Sequence, residues 1–155
     1  MMENKNSSVT ARLKGFFFKV MAAPILLFAG IIALRLRDFA VELHPGSARF
    51  WGIVLLIFSA LFGIALPILL RTLFNERALK KREVDTPAFE NYQKMVISTA
   101  AAAAIFADAA YLLVVPRFYL YGSVLAAIYG VYGAIPAEKK IRGEMRLYGI
   151  EEKEQ

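Results

Sequence analysis

The chain has 155 residues, of which 58% are hydrophobic, and its formal net charge at pH 7 is +6. The hydrophobic share exceeds the roughly 45–50% that is usual for a soluble globular domain, and the length is that of a single domain. Because the chain has no cysteine and only one histidine, His44, we exclude disulfides, catalytic thiolates, cysteine lipidation and multi-histidine metal sites.

Four apolar stretches follow one another along the chain. They cover residues 16–34, 50–70, 95–115 and 118–137. Each is about 20 residues long, which is the length at which a helix crosses the hydrocarbon layer of a bilayer. The sequence therefore predicts an all-α integral membrane protein, a four-transmembrane-helix bundle with an N-terminal tail of residues 1–15 and a C-terminal tail of residues 138–155. The remaining segments are short and polar, so we expect no separate soluble core.

The lysine and arginine residues are distributed unevenly among the segments that flank the apolar stretches. Fifteen of the 19 lie in residues 1–19, 71–94 or 138–153, and four lie in residues 35–50 and at Arg117. Basic residues accumulate on the cytoplasmic side of membrane proteins. This pattern predicts that both termini and the middle connection are cytoplasmic, in an inner or plasma membrane. It also explains the basic charge without nucleic acid.

Six of these basic residues are predicted to contact anionic lipid headgroups, an interaction worth ~1 kcal/mol for each residue near the surface. They form one cluster between the second and third stretches and another after the fourth: Lys80, Lys81, Arg82, Lys139, Lys140 and Arg142. Docking of an acidic protein partner is the alternative, and the residues themselves do not separate the two.

Proline and glycine interrupt the first two apolar stretches. Pro24 lies within the first stretch, and Gly63 and Pro67 lie near the end of the second. Proline removes a backbone hydrogen bond inside a helix. The first helix is therefore expected to bend or loosen near Pro24.

Asp108 lies deep within the third stretch, among small residues that include Ala101 and Ala104. An ionised carboxylate at this depth costs at least ~2.5 kcal/mol, so we expect Asp108 to face protein and to be largely neutral at pH 7. The predicted polar site combines Asp108 with Tyr111, its neighbour on the helix, and with Tyr129 of the fourth stretch. It is either a protonatable or cation-binding site, or a structural pin that hydrogen-bonds to a tyrosine hydroxyl or to the backbone.

The fourth stretch carries a row of small residues at every fourth position. The row consists of Gly122, Ala126, Gly130 and Ala134. Small residues at this spacing allow two helix backbones to approach closely. Because Pro116-Arg117 leaves almost no connection before this stretch, the third and fourth helices are predicted to form a tight antiparallel hairpin. We expect the small row to pack against the third helix, and dimer formation is the alternative.

Similar residues recur at the starts of the second and fourth stretches. Arg49-Phe50-Trp51 opens the second, and Arg117-Phe118-Tyr119 opens the fourth. One interpretation is a pair of tandem helical hairpins that arose by duplication, a symmetry known among transporters. The other is independent recurrence, because such residues are common at membrane interfaces.

The sequence contains no motif that specifies a reaction or a ligand. It has no histidine–carboxylate pair, cysteine nucleophile, phosphate-binding loop or metal-ligand spacing. We therefore expect a protein that is not an enzyme and that needs no cofactor or metal, most simply a subunit or scaffold of a membrane complex. Its expected partners are the bilayer and either a second copy or another membrane protein. The alternative is a small oligomeric transporter or channel that uses Asp108.

Overall fold

The computed structural model describes residues 2–37, 41, 43–81 and 84–150, and it describes side chains over residues 8–37, 41, 43–78 and 84–150. Within this part of the chain the regular structure is entirely helical. The elements are α1 (Met2–Arg35), α2 (Pro45–Ala60), a π-turn (Leu61–Ala65), α3 (Leu66–Lys81), α4 (Thr86–Leu112), α5 (Arg117–Ala134) and α6 (Glu138–Leu147). The predicted all-α class is confirmed.

Several of these helices are suited to membrane insertion. Three stretches, Ser8–Arg35, Pro45–Ala78 and Thr86–Leu112, are long and apolar enough to cross a membrane. A fourth candidate consists of α5 together with α6, which are bent by 68° relative to each other. The part of the chain that the structure describes therefore contains three or four candidate membrane spans.

Helix α4 lies at the centre of the fold, with α1 on one side and α2 and α5 on the other. Helix α1 runs parallel to α4, and polar contacts join the two near both ends. Arg12 forms an ion pair of 2.5 Å with Glu90, and Nη2 of Arg35 donates a hydrogen bond of 2.6 Å to the carbonyl oxygen of Tyr111. Helix α1 has little contact with α2 or α5, so the first two predicted spans do not form a packed hairpin.

The segments predicted as tails contribute to the core. The segment 1–15 is helical from Met2 onward, and α6 occupies part of the segment 138–155. Their buried apolar residues join those at the start of α4 in one cluster: Val9, Leu13, Phe89, Tyr92, Ile141, Met145 and Ile150. The pairs Val9/Leu13 and Ile141/Met145 are four residues apart, which places each pair on one helix face. The terminal segments therefore extend the core of the helical bundle, which the sequence analysis did not predict.

Two prolines lie inside the long helices with different consequences. Helix α1 continues without a break through Pro24. Around Pro67 the helix changes instead to the π-turn, in which the N–H of Leu66 bonds to the carbonyl oxygen of Leu61. A proline ring clashes with the carbonyl four residues earlier, here that of Gly63, and a local π-turn relieves this clash while keeping most backbone groups bonded.

Three members of the small row of α5, Gly122, Ala126 and Gly130, pack against α2 and the π-turn and not against the third predicted span. Ala134, the fourth member, lies in the core cluster that contains Ala100 and Ala101 of α4. A Cβ atom added to Gly130 would lie 2.8 Å from the Cα of Gly63, and one added to Gly63 would overlap the carbonyl oxygen of Ala126. Gly122 lies against Leu56 in the same way. The hairpin of α4 and α5 does form, but α5 meets α4 through a neighbouring face that includes Ala127.

The turn between α4 and α5 contains a valine in an unusual backbone conformation. Val114 has a φ of 49°, in the left-handed region that β-branched residues avoid. The N–H groups of Val114 and Val115 bond to the carbonyls of Tyr111 and Ala110, respectively. This is the Schellman pattern, whose left-handed position is usually glycine. Helix α6 ends in the same pattern with Gly149 at that position, where φ is 65°.

Replacing Val114 by glycine is expected to stabilise the protein. A left-handed residue other than glycine costs about 1–2 kcal/mol, and the exposed Val114 side chain contributes little packing in return. The Tm of Val114→Gly in detergent should therefore exceed those of wild type and of Val114→Ala, which keeps the Cβ. A lower Tm for Val114→Gly than for Val114→Ala would contradict the assignment of strain to this residue.

Candidate functional sites

A groove forms where α1 and α5 both lie against α4 without closing on each other. It has a volume of about 640 Å³. We call it the Asp108 groove, and its floor is formed by Ala104, Ala107 and Asp108 of α4. Phe28 and Tyr111 lie on one side, and the other side is α5 over residues 120–135. Apart from Asp108, its lining consists of apolar and aromatic residues.

Asp108 is buried at the floor of this groove, with 9% of its surface exposed. Its Oδ2 atom has no hydrogen-bond partner among the described residues. Buried polar groups in proteins are nearly always hydrogen-bonded, and an unpaired one costs about 1–3 kcal/mol. The carboxyl group is therefore held in place by the backbone of α4 and the packing of its neighbours, with hydrogen-bonding capacity unused.

Arg35, the last residue of α1, does not neutralise Asp108. Arg35 lies beside Tyr111, with its guanidinium carbon 3.9 Å from the centre of the Tyr111 ring. Its Nη2 bonds to the Tyr111 carbonyl. No described lysine or arginine forms an ion pair with Asp108. An ionised Asp108 would thus have no counter-charge from the described part of the chain.

The predicted polar site is brought together only in part. Tyr111 lines the groove with Asp108, and its ring packs 5.7 Å from that of Phe28. Tyr129 does not line this groove and lies instead in a second cavity. Two tyrosines of α5 that do line the groove with Asp108 are Tyr121 and Tyr132. Tyr132 also lines the second cavity, whereas Tyr121 lines only the groove. The 11 residues between Tyr121 and Tyr132 are about three helical turns, so these two share a helix face that Tyr129 does not.

The second cavity, which we call the Arg71 pocket, has a volume of about 300 Å³ and lies beside the π-turn. Residues from four helices line it, including Arg71 of α3, Gln93 of α4, Tyr129 of α5, and Lys140 and Glu144 of α6. Sequence reasoning missed Arg71, Gln93 and Glu144 as members of a site, because only the turn between α5 and α6 brings the three together.

Hydrogen bonds to α6 fix the wall of the Arg71 pocket. The Gln93 side chain donates to the Glu144 carboxylate, and both residues are buried. Lys140 donates to the carbonyl oxygen of Gly133, at the end of α5. The Tyr148 hydroxyl, just beyond α6, donates to the side-chain oxygen of Asn75. Burial and the neighbouring carboxylate of Glu144 raise the pKa of Tyr148, whereas Arg71 acts in the opposite direction.

The predicted headgroup contacts are in different environments. Lys139 and Arg142 lie on the outer surface of α6, where Arg142 forms an ion pair of 3.0 Å with Glu138. Lys140 lines the Arg71 pocket. Arg82 lies outside the described residues, as do the side chains of Lys80 and Lys81.

Over the described residues, fold and sites together define an all-helical protein with several apolar helices that suit a membrane, with an apolar groove that contains a buried carboxyl group and with a pocket lined by Arg71, Lys140 and Glu144. Comparisons with protein-family models, with curated proteins and with solved structures give no match. Its function is therefore argued from these two sites.

Proposed function

We propose that this chain is a multi-pass membrane protein with four spans and with both termini in the cytoplasm. The proposal is supported by the lengths of α1, α4 and the helix from Pro45 to Ala78, and by the bias of the basic residues. Helix α5 is the proposed fourth span, since its 18 residues rise about 27 Å. The basic helix α6 then lies at the cytoplasmic surface.

Cysteine labelling tests this topology, because the chain has no cysteine of its own. A cysteine introduced at Gly46 should react with a membrane-impermeant maleimide in intact cells. A cysteine at Lys81 should react only after the membrane is permeabilised. Labelling of both positions from the same side would contradict the topology.

Within this topology, the proposed function is that of a non-enzymatic subunit that receives a transmembrane helix of another protein in the Asp108 groove. The observation that carries the proposal is the Asp108 groove itself, an apolar surface whose floor contains a carboxyl group that makes no hydrogen bond to the described residues. A partner helix with a hydrogen-bond donor at this depth would satisfy that carboxyl group. Serine, threonine, asparagine, glutamine and lysine supply such donors.

The shape of the groove supports a helix as its occupant. Its α5 side extends from Leu120 to Ile135, a rise of about 22 Å along the helix axis. This is most of the ~30 Å thickness of the hydrocarbon layer. Ala104 and Ala107 on the floor allow a second backbone to approach closely, which is the main source of helix association in lipid.

Co-purification in mild detergent from native cells tests the proposed function. We expect one integral membrane protein to elute with wild type and with Phe50→Leu, a control that changes an exposed residue of α2. It should be absent from Asp108→Leu. Elution as a lone monomer, elution with a second copy alone, or a partner retained by Asp108→Leu would each overturn the proposal.

A small transporter is the second candidate, and the aromatic lining of the groove favours it. Phe28, Tyr111, Tyr121 and Tyr132 surround a carboxyl group in a cavity whose volume is in the range of small-molecule sites. An organic cation, such as a quaternary ammonium group, is attracted both by the faces of aromatic rings and by a carboxylate. Coupled flux of protons or cations in reconstituted vesicles, abolished by Asp108→Asn, would favour this function over that of a subunit.

A further inference from the structure

We infer that the Arg71 pocket binds a phosphodiester group, presented by an anionic phospholipid. The pocket lies at the boundary between apolar and polar sequence. Arg71 directly follows the apolar stretch 50–70, and Lys140 follows the stretch 118–137. Basic pockets between membrane helices at this level are where lipid headgroups bind. The inference rests on the proposed orientation in the membrane and not on a partner at Asp108.

Two basic side chains of the pocket have hydrogen-bond donors available for a ligand. Arg71 makes no ion pair or hydrogen bond to the described residues. Its planar guanidinium suits the bidentate recognition of a phosphate group. Lys140 donates one hydrogen bond to the Gly133 carbonyl, and its ammonium has further protons available. The half-exposed Tyr129 adds a hydroxyl to the same lining.

Glu144 limits the charge that the pocket accepts. Its carboxylate is buried and bonded to Gln93, so it offers no open position for a cationic ligand. With Arg71 and Lys140 it leaves the pocket with a net charge of one positive unit. A phosphodiester carries a single negative charge and matches this balance, whereas a phosphomonoester carries nearly two.

The remaining walls of the pocket favour a lipid over a soluble phosphate compound. Ile64, Pro67, Ile68 and Val96 line the pocket on its apolar side. The exposed Ile64 and Ile68 belong to a helix that is apolar enough to cross the membrane. An acyl chain can follow these residues into the bilayer while the phosphodiester remains beside Arg71.

Lipid binding to the purified full-length chain tests the inference. Native mass spectrometry in detergent would measure retention of phosphatidylglycerol against phosphatidylcholine. We expect wild type to retain phosphatidylglycerol selectively, and Arg71→Gln and Lys140→Gln each to reduce that selectivity about tenfold. Arg77→Gln is the matched control, since it removes the same charge from the exposed surface of α3 outside the pocket. The Tm of each variant, together with the milder Arg71→Lys, separates lost binding from lost folding.

Two outcomes would overturn the inference. Equal losses in Arg77→Gln and Arg71→Gln would mean diffuse attraction to a basic surface. Displacement of the lipid by inorganic phosphate or glycerophosphoglycerol at equimolar concentration would identify a soluble ligand instead. Labelling of the Gly46 and Lys81 cysteines from the same side would overturn the proposed orientation in the membrane. The lipid-binding results, which are obtained in detergent, would not be affected.

Discussion

Replacing Gly63 by alanine is expected to lower the stability of the protein more than any other single-methyl change in α5 or the π-turn. The added Cβ would overlap the backbone carbonyl of Ala126, and it would also lie 3.3 Å from the Cβ of Ala103. Backbone cannot rotate away as a side chain can, so α5 must shift as a unit. Overpacking of this kind costs typically 1–3 kcal/mol, which should appear as a clear fall of the Tm in detergent.

Gly133 provides the matched control for Gly63. It lies near the end of α5, and a Cβ added there would meet nothing within 4 Å. Because alanine is a better helix former than glycine by about 1 kcal/mol, Gly133→Ala should leave the Tm unchanged or raise it. Gly130→Ala should also lower the Tm, by less than Gly63→Ala, since its added Cβ would lie 2.8 Å from the Cα of Gly63. Equal Tm values for Gly63→Ala and Gly133→Ala would contradict the close contact between α5 and the π-turn.

Asp108→Leu is expected to abolish the complex while leaving the isolated chain at least as stable as wild type. The carboxyl group makes no hydrogen bond to the described residues, so its removal breaks no internal hydrogen bond. Replacing an unpaired buried polar group by an apolar one of similar size is neutral or stabilising. The Tm of the purified monomer should thus be unchanged or higher, and the partner should be missing from co-purification.

Asp108→Asn separates the remaining interpretations of this residue. An amide still accepts a hydrogen bond, so a neutral donor on the partner helix should retain the complex, whereas a cationic donor should lose it. A structural pin within the chain predicts a different result, in which Leu lowers the Tm of the monomer and Asn does not. That result would contradict the absence of an internal partner for Oδ2. Loss of coupled proton or cation flux in Asp108→Asn would support the hypothesis that the protein is a transporter.

The local features of the fold were predictable from the sequence. Apolar stretches of the right length predicted the long helices, and Pro116-Arg117 predicted the tight hairpin of α4 and α5. The alanines around Asp108 predicted a surface on which another helix can pack, and this stays a prediction. These features depend on residues close together in the chain, for which hydrophobicity and spacing carry enough information.

The pairing of distant helices was not predictable in the same way. Nothing in the sequence indicates that α1 packs along α4, with Arg12 beside Glu90 near one end and Arg35 beside Tyr111 near the other. This pairing leaves the Asp108 groove open between α1 and α5. Helix geometry places Tyr132 within about 20° of Tyr121, and Tyr129 about 80° away. The spacing therefore separates Tyr129 from Tyr121 and Tyr132 on the surface of α5. It does not show which of these faces lies toward α4 and Asp108.

The packing of the two terminal segments on α4 was not predicted, because their apolar residues are few and separated by charge. Ile141 and Met145 alternate with basic residues along α6, so the segment as a whole is strongly polar in composition. Their burial requires a complementary surface, which the start of α4 provides through Phe89 and Tyr92. A periodicity of four in a short, charged segment is the signal that such a helix docks on a bundle.

Site-specific photo-crosslinking from the Asp108 groove tests the central proposal most directly. A benzoylphenylalanine would replace Tyr121, which lines the groove but not the Arg71 pocket and is 61% exposed. The control is the same residue at Phe50, which is also 61% exposed and lies on α2, outside the groove. Irradiation would be performed in native cells, and the adduct mapped by mass spectrometry. We predict an adduct from position 121 to a transmembrane segment of another protein that carries a hydrogen-bond donor, with none from position 50. Absence of a protein adduct at position 121, or adducts to a second copy alone, would contradict the proposal.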